Sequence, residues 1–294
     1  MIEHFIRKWF PVMLKVQAIG APFDVAFSSS GKRKPKGFIW TTDPCDIQVH
    51  IDMGLMRGAT GKTNNKKFGW FCESRIVKEN IFNDITRNLN KYKQSYRSIF
   101  TCDTDLIKLD PNLFSFSFSG SNLPWTLDEE FKIYNKSKLV SLISSPKEST
   151  VGHKNRIKLA EQFKHNVDLY GGIFGSNQIG VQPKEHYHHR SKSKALQDYM
   201  FSITIENFKY DDYFTEKITD CFANGVIPVY YGTDNIGKYF DQNGIITLND
   251  RFKFEDLTEE LYESKLDSIR NNLNLVSLLE GADDMIIRKI QEIL

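Results

Sequence analysis

Between Glu206 and Lys217 the chain collects Glu206, Asn207, Asp211, Asp212, Tyr213, Thr215, Glu216 and Lys217. The run opens as a polar loop and closes in the first turn of a helix, and such density suits a polar ligand better than a core. Lys217 is the informative member, because a cation in the first turn opposes the helix field. A bound diphosphate reverses that penalty, since phosphate oxygens favour both the lysine and the helix terminus. The alternative is a solvated helix start with ordinary surface charges. A second candidate is Glu73, which follows the aromatic run KFGWFC. A carboxylate at the carboxyl end of an inner strand is well placed to act as a base facing a cleft, with a helix cap or a surface carboxylate as the plainer role. The third is Arg156, near the start of HKNRIKLAEQFKHNV. Its planar fork suits paired phosphate oxygens, but Lys154 and Lys158 are neighbouring alternatives and a helix-surface role stays equally open.

These residues need elements to hold them. YMFSITI reads as a strand, Thr215 to Asn224 as a short helix with Ile218, Cys221 and Phe222 on one side, and VIPVYYG as a returning strand after Gly225. That is an α/β crossover, whose binding crevice lies beyond the carboxyl ends of its strands. KLVSLISSPKES, HKNRIKLAEQFKHNV and VDLYGG form a second strand–helix–strand unit, and GIITLND a closing strand. Upstream, FDVAFSSS, GFIWTTD, CDIQVHID, KFGWFCES, SYRSIFTCDTD and NLFSFSFSG read as strand-like, and IVKENIFNDITRNLN as a helix packing through Ile76, Phe82, Ile85 and Leu89. GLMRGATGKTNNKK is expected to be a loop; its GATGKT lacks the spacing of a phosphate loop. Trp125 suits either a cleft wall or domain packing, and Tyr230 and Tyr231 are candidates to flank a ligand, one of them turned inward. The division falls near Asn135, giving an α/β domain over 1–134 and a second over 135–294 that includes the C-terminal helices.

The string Glu206-Asn207, Tyr213, Thr215-Glu216-Lys217 and Gly225-Val226-Ile227-Pro228 resembles the nucleotide-sugar donor motif of the α-1,3/1,4-fucosyltransferases, glycosyltransferase family 10. Where the family continues with serine after the glutamate–asparagine pair, this chain has Phe208. The resemblance implies a GT-B-like pair of Rossmann-like domains facing a central cleft. It implies GDP-L-fucose as donor in the 135–294 domain, and inverting transfer to an acceptor-glycan hydroxyl presented by the 1–134 domain, α-1,3 to an N-acetylglucosamine or glucose unit. Phe71-Cys72-Glu73-Ser74 resembles the family segment that carries the general base, so Glu73 takes that role. Arg156 resembles the arginine that meets the diphosphate; it and Lys217 would hold the phosphates, Glu216 the ribose hydroxyls, and Asn207 and Tyr213 would orient the donor. Glu206 meets the sugar or organises the loop.

The 294 residues carry a formal charge of +2, so no global field points to nucleic acid. Four widely spaced cysteines with no CxxC pair, no secretory segment and no run of ~20 apolar residues lead to a cytoplasmic expectation. Any membrane contact would be peripheral, at the inner face. The opening MIEHFIRKWFPVMLKVQAI is read as docking onto the first domain or lying on a membrane surface, and GKRKPKG as a solvated basic loop. The run PKEHYHHRSKSK, with His186, His188 and His189, lacks a carboxylate at ligand spacing and is expected to be a solvated loop. No metal or other cofactor is therefore expected to be required, with a divalent cation at most stimulatory. Two other classes stay open: transfer from a different nucleotide sugar, and a non-catalytic carbohydrate-binding protein of the same fold.

Overall fold

The computed structural model describes residues 13–31, 33–62, 66–126, 128–176 and 189–294. The first part contains β1 (Leu14–Ile19), β2 (Phe38–Thr41), β3 (Ile47–Ile51), α1 (Met53–Gly58), β4 (Lys67–Phe71), α2 (Glu79–Arg87), α3 (Leu89–Ser95), β5 (Ile99–Thr101), α4 (Thr104–Leu109) and β6 (Phe114–Phe116). Its strands form a six-stranded sheet in the order β2-β1-β3-β4-β5-β6, every pairing parallel. The second part runs β7 (Lys138–Ile143), α5 (Val151–Phe163), β8 (Asp168–Tyr170), α6 (His189–Lys194), β9 (Tyr199–Ile205), α7 (Glu216–Ala223), β10 (Ile227–Tyr231) and β11 (Ile246–Thr247). Here the order is β11-β10-β9-β7-β8, again all parallel. Helices α8 (Glu259–Ser264), α9 (Leu266–Ser277) and α10 (Ala282–Ile293) close the chain.

Parallel sheets are covered on both faces, so their inner strands read as apolar runs without alternation. That is why KFGWF and YMFSITI are buried along their whole lengths as β4 and β9. It also explains how both crossovers were legible.

Several upstream expectations change. Residues 1–12 of the opening segment lie outside the described residues. Its remainder is built into the first part itself, because Leu14–Ile19 is strand β1, set between β2 and β3 with Val16 fully buried. FDVAFSSS forms turns and an isolated bridge, Ser28 to Gly31, in place of a strand. The glycine- and lysine-rich segment contains helix α1. Helices α2 and α3 bury Ile81, Ile85 and Tyr92, with Phe82 and Leu89 only partly covered.

Helix α10 crosses back to the six-stranded sheet. Its Met285, Ile286, Ile287 and Ile290 share one core with Val16, Trp40 and Trp70. A polar contact fixes its start: Asp283 accepts the indole N–H of Trp40 at 2.7 Å and the backbone N–H of Ser29 at 3.1 Å. Burial pushes the Asp283 carboxyl up to about 6.

Candidate active site

Strand β9 and β10 pair in parallel up to Ile205 and Tyr231, and the polar loop leaves from that carboxyl edge. Thr215 caps α7, its side chain accepting the Lys217 backbone N–H at 3.4 Å. Gly225, at φ 65°, ends the helix in the left-handed region. Glu206 sits fully buried beneath this turn. Its carboxylate accepts the Thr215 backbone N–H at 2.9 Å and the Thr215 hydroxyl at 2.8 Å, with Lys217 Nζ at 3.4 Å. Glu206 thus organises the loop, and the cavity beside it is lined by other groups.

That cavity, of about 390 Å³, brings together Glu73, Arg156, Asn207, Tyr213, Glu216 and Lys217. Glu73 comes from the six-stranded sheet, just past β4, and the other five from the second sheet and its helices. Arg156 is buried in the first turns of α5. Its Nη2 donates to Asn207 Oδ1 at 3.1 Å, whereas Lys154 and Lys158 are exposed. Of these three, Arg156 is the one that lines the cavity. Glu216 is buried too; desolvation alone would raise its pKa, but Lys217, Lys192 and the Thr215 hydroxyl prevail and hold it at about 2. Lys217 Nζ lies 2.9 Å from Thr215 Oγ1, 3.4 Å from Glu206 and 3.7 Å from Glu216. The field penalty of a first-turn lysine is thus offset by two carboxylates with no ligand present.

Glu73 is half-buried, and its pKa is raised first by desolvation and then by the Asp52 carboxylate, with Lys217 pulling the other way. Tyr213 is buried and stacks on Tyr210 at 4.7 Å between ring centroids. Tyr210 in turn meets the first part of the chain, its hydroxyl 3.6 Å from Cys102 Sγ and its ring under the Arg75 guanidinium. Phe208, the departure from the family pattern, packs on Tyr210 at 5.8 Å and is absent from the cavity lining.

Two lining residues escaped sequence reasoning. Lys192 was placed in a solvated loop, but it is 8% exposed, pairs with Glu216 at 3.4 Å and with Asp220, and lies over the Trp125 ring. Nothing in a lysine within HHRSKSK signals burial; the carboxylates that neutralise it are remote in sequence. His153 is the other. Thr150 Oγ1 accepts the His153 backbone N–H at 3.1 Å and lies 2.8 Å from its Nδ1. Ser149 Oγ lies 3.2 Å from the same ring nitrogen, so Nδ1 is held by two hydroxyls. Burial and the nearby Arg156 and Lys217 lower the His153 pKa to about 4, so the ring is neutral.

Trp125 fills both roles considered for it, lining the cavity while its backbone N–H donates to Asp220 of α7 at 2.7 Å. Tyr230 and Tyr231 line a separate cavity at the ends of β10 and β11; Tyr230 is the inward one. His186 and His188 lie outside the described residues, as does the side chain of His189. Among the described residues, no group of three or more His, Cys, Asp or Glu side chains is arranged to hold a metal.

Gly152 is what allows α5 to approach the loop. A Cβ there would stand 1.9 Å from Glu206 O and 2.8 Å from Asn207 Cα. Gly152→Ala is expected to separate these segments, costing about 1–3 kcal/mol of stability and the Arg156–Asn207 contact. Denaturant unfolding checks this, and unchanged stability would refute it.

The family model for glycosyltransferase family 10 (fucosyltransferase), C-terminal part, matches residues 133–272. That match takes in the whole of the crossover from β9 to β10. Over 70 residues the chain is 30% identical to the α-(1,3)-fucosyltransferase FucT of Helicobacter pylori, covering 24% of the chain and 15% of that protein. Over 82 residues it is 37% identical to GDP-fucose protein O-fucosyltransferase 3 of Danio rerio, covering 28% and 16%. The matched stretches thus span less than a fifth of either relative's length. A crystal structure of an α1,3-fucosyltransferase aligns with a TM-score of 0.51 over 95% of this chain and 89% of that one, at 15% identity. This likeness shows the fold, two Rossmann-like sheets in a GT-B-like arrangement. No helix among the described residues is long and apolar enough to cross a membrane.

Proposed function

We propose that this chain is a family 10 enzyme that transfers L-fucose from GDP-L-fucose to an acceptor hydroxyl, with inversion at the sugar carbon. The observation that carries the reading is a single cavity shared by a carboxylate of high proton affinity from one sheet and by an arginine–lysine pair from the other. Glu73 takes the proton of the acceptor hydroxyl as the oxygen attacks the anomeric carbon of the donor. The bond to the diphosphate breaks in the same displacement, and Arg156 and Lys217 stabilise the negative charge that departs with GDP. His153 lines the same cavity beside Arg156 and Lys217. Glu216 receives ribose hydroxyls, a task that suits a carboxylate kept ionised by two lysines. Asn207 and Tyr213 orient the donor, and Glu206 acts through the loop it ties together. The boundary near Asn135 separates the acceptor-side domain, 1–134, from the donor-side one.

For the acceptor, the reading is α-1,3 transfer to an N-acetylglucosamine or glucose unit. A protein hydroxyl is the alternative, raised by the likeness to the Danio rerio protein O-fucosyltransferase. Phe208 keeps a second donor class in play, because it stands where the family has serine and packs on Tyr210. One experiment addresses all three: a donor-by-acceptor screen following GDP release, with linkage analysis of each product. Transfer from GDP-fucose supports the reading. Turnover with another nucleotide sugar alone overturns the donor, and donor binding without product across the screen points to a non-catalytic carbohydrate-binding protein.

Catalysis is expected to survive exhaustive chelation, because Arg156, Lys217 and Lys192 offer cationic charge within the cavity. A divalent cation would at most stimulate. Activity lost on chelation and restored by one specific metal would refute this.

A further inference from the structure

Asp52, the residue after β3, is 1% exposed and lies at φ 44°, ψ −109°, a region that suits glycine and strains a side-chain-bearing residue. Its backbone N–H still donates to Trp70 O of β4 at 2.9 Å, and its own carbonyl accepts the Leu55 N–H at 2.8 Å to start α1. The carboxylate is therefore turned back over the end of β4. Oδ1 accepts the backbone N–H groups of Cys72 at 3.0 Å and of Glu73 at 3.4 Å, and Oδ2 accepts the Cys72 thiol at 3.4 Å. Two costs meet in one residue: a strained backbone and a buried carboxylate. Glycine would remove the first, and asparagine would keep an acceptor for both N–H groups without the second. Neither would put a negative charge beside Glu73.

We infer that Asp52 is the positioning residue of the base, its carboxylate holding the Cys72–Glu73 backbone at the cavity wall while placing a like charge next to Glu73. This rests on the reading of Glu73 as the base. The geometry is supported by electrostatics, for Asp52 is the largest cause after burial that raises the proton affinity of Glu73. Glu216 acts in the same sense, and Lys217 and Lys78 oppose it. Asp52 is itself raised by burial, against its hydrogen bonds from Cys72 and Glu73 and the charge of Lys78. With Asp52 ionised, Glu73 is a stronger base than an isolated glutamate at that depth, and its backbone anchor limits where it can reach.

The test compares wild type, Asp52→Asn, Asp52→Gly and Glu73→Gln by carbon NMR titration of the carboxyl groups, by GDP calorimetry, and by the pH dependence of GDP release from GDP-fucose, with N-acetyllactosamine or water as acceptor. Asp52→Asn is expected to lower the titration midpoint of Glu73 and move the acid limb of kcat to lower pH. Turnover should fall about 10-fold, with GDP affinity unchanged. Asp52→Gly, which relieves the strained backbone, should shift the midpoint in the same direction and lower kcat further, because both N–H groups lose their acceptor. It also serves as the reading variant if Asp52→Asn does not fold. An unmoved Glu73 midpoint in the folded variant overturns the inference whatever the activity. A moved midpoint together with wild-type turnover in Glu73→Gln instead overturns the assignment of the base, leaving the Asp52–Glu73 pairing as a structural contact alone.

Discussion

Replacing Glu73 by glutamine is expected to lower turnover by at least ~10²-fold while leaving GDP binding unchanged, since general-base catalysis contributes about that much or more. The carboxylate stands at the carboxyl end of an inner strand and lines the cavity that holds Arg156 and Lys217. Glutamine keeps the size and much of the hydrogen bonding, so the loss isolates proton abstraction. Saturating-substrate kinetics read it, with Glu79→Gln as the comparison. Glu79 is exposed at the start of α2 and absent from the cavity, so its variant should be close to wild type. The sign of the pH dependence follows from the raised pKa. The base works only when ionised, so wild-type kcat falls as pH drops through that raised value. Stability runs the other way. A carboxyl whose folded pKa exceeds its unfolded one contributes most below the unfolded value, and the contribution is lost as pH rises through the folded value. Glu73→Gln should therefore be more stable than wild type at neutral pH, with the difference vanishing in acid. Near-wild-type turnover would place the base elsewhere.

The second large effect concerns the cations. Arg156→Ala is expected to weaken GDP binding by about one to two orders of magnitude, the loss of a charged hydrogen bond worth roughly 1.5–3 kcal/mol. Lys217→Ala should weaken it similarly, but the structure adds a consequence that the sequence did not suggest. Glu206 is fully buried and has Lys217 at 3.4 Å, so removing the ammonium leaves a buried charge with the hydrogen bonds of Thr215 and the charge of Arg156 but without its ion-pair partner. Lys217→Ala is accordingly expected to lose stability as well as affinity. Pairing it with Glu206→Gln separates the two roles. The double variant should regain stability, because the orphaned charge is gone, and still bind GDP weakly. Calorimetry and denaturant unfolding on the four proteins decide the matter. Unchanged donor affinity in both single variants would remove the phosphate clamp, and failure of Glu206→Gln to restore stability would remove the charge argument.

Much of this was legible from local pattern. Burial on both faces makes the strands of a parallel sheet continuous apolar runs, so β4 and β9 announced themselves, and Gly225 marked the end of α7. Four of the cavity residues, Asn207, Tyr213, Glu216 and Lys217, belong to one loop and the adjoining helical turn, so they fell within one readable stretch. Where the local signal was weak, the reading failed. Leu14–Ile19 is short and mixes lysine and glutamine with apolar residues, and only its two neighbouring strands make it β1.

By itself, then, the sequence determined the α/β class, the crossover that carries the donor motif and the types of residue available for catalysis, because each follows from interactions between near neighbours. The tertiary structure decided which charges stay free and which are consumed. It tied Glu206 to Thr215 and Lys217, buried Lys192 between Glu216 and Asp220, and set Asp52 against the backbone of Glu73. It also returned α10 to the first sheet, where Asp283 meets Trp40. The reason is physical: the free energy of a buried charge depends on partners brought within a few ångströms by the fold, and those partners can lie anywhere along the chain.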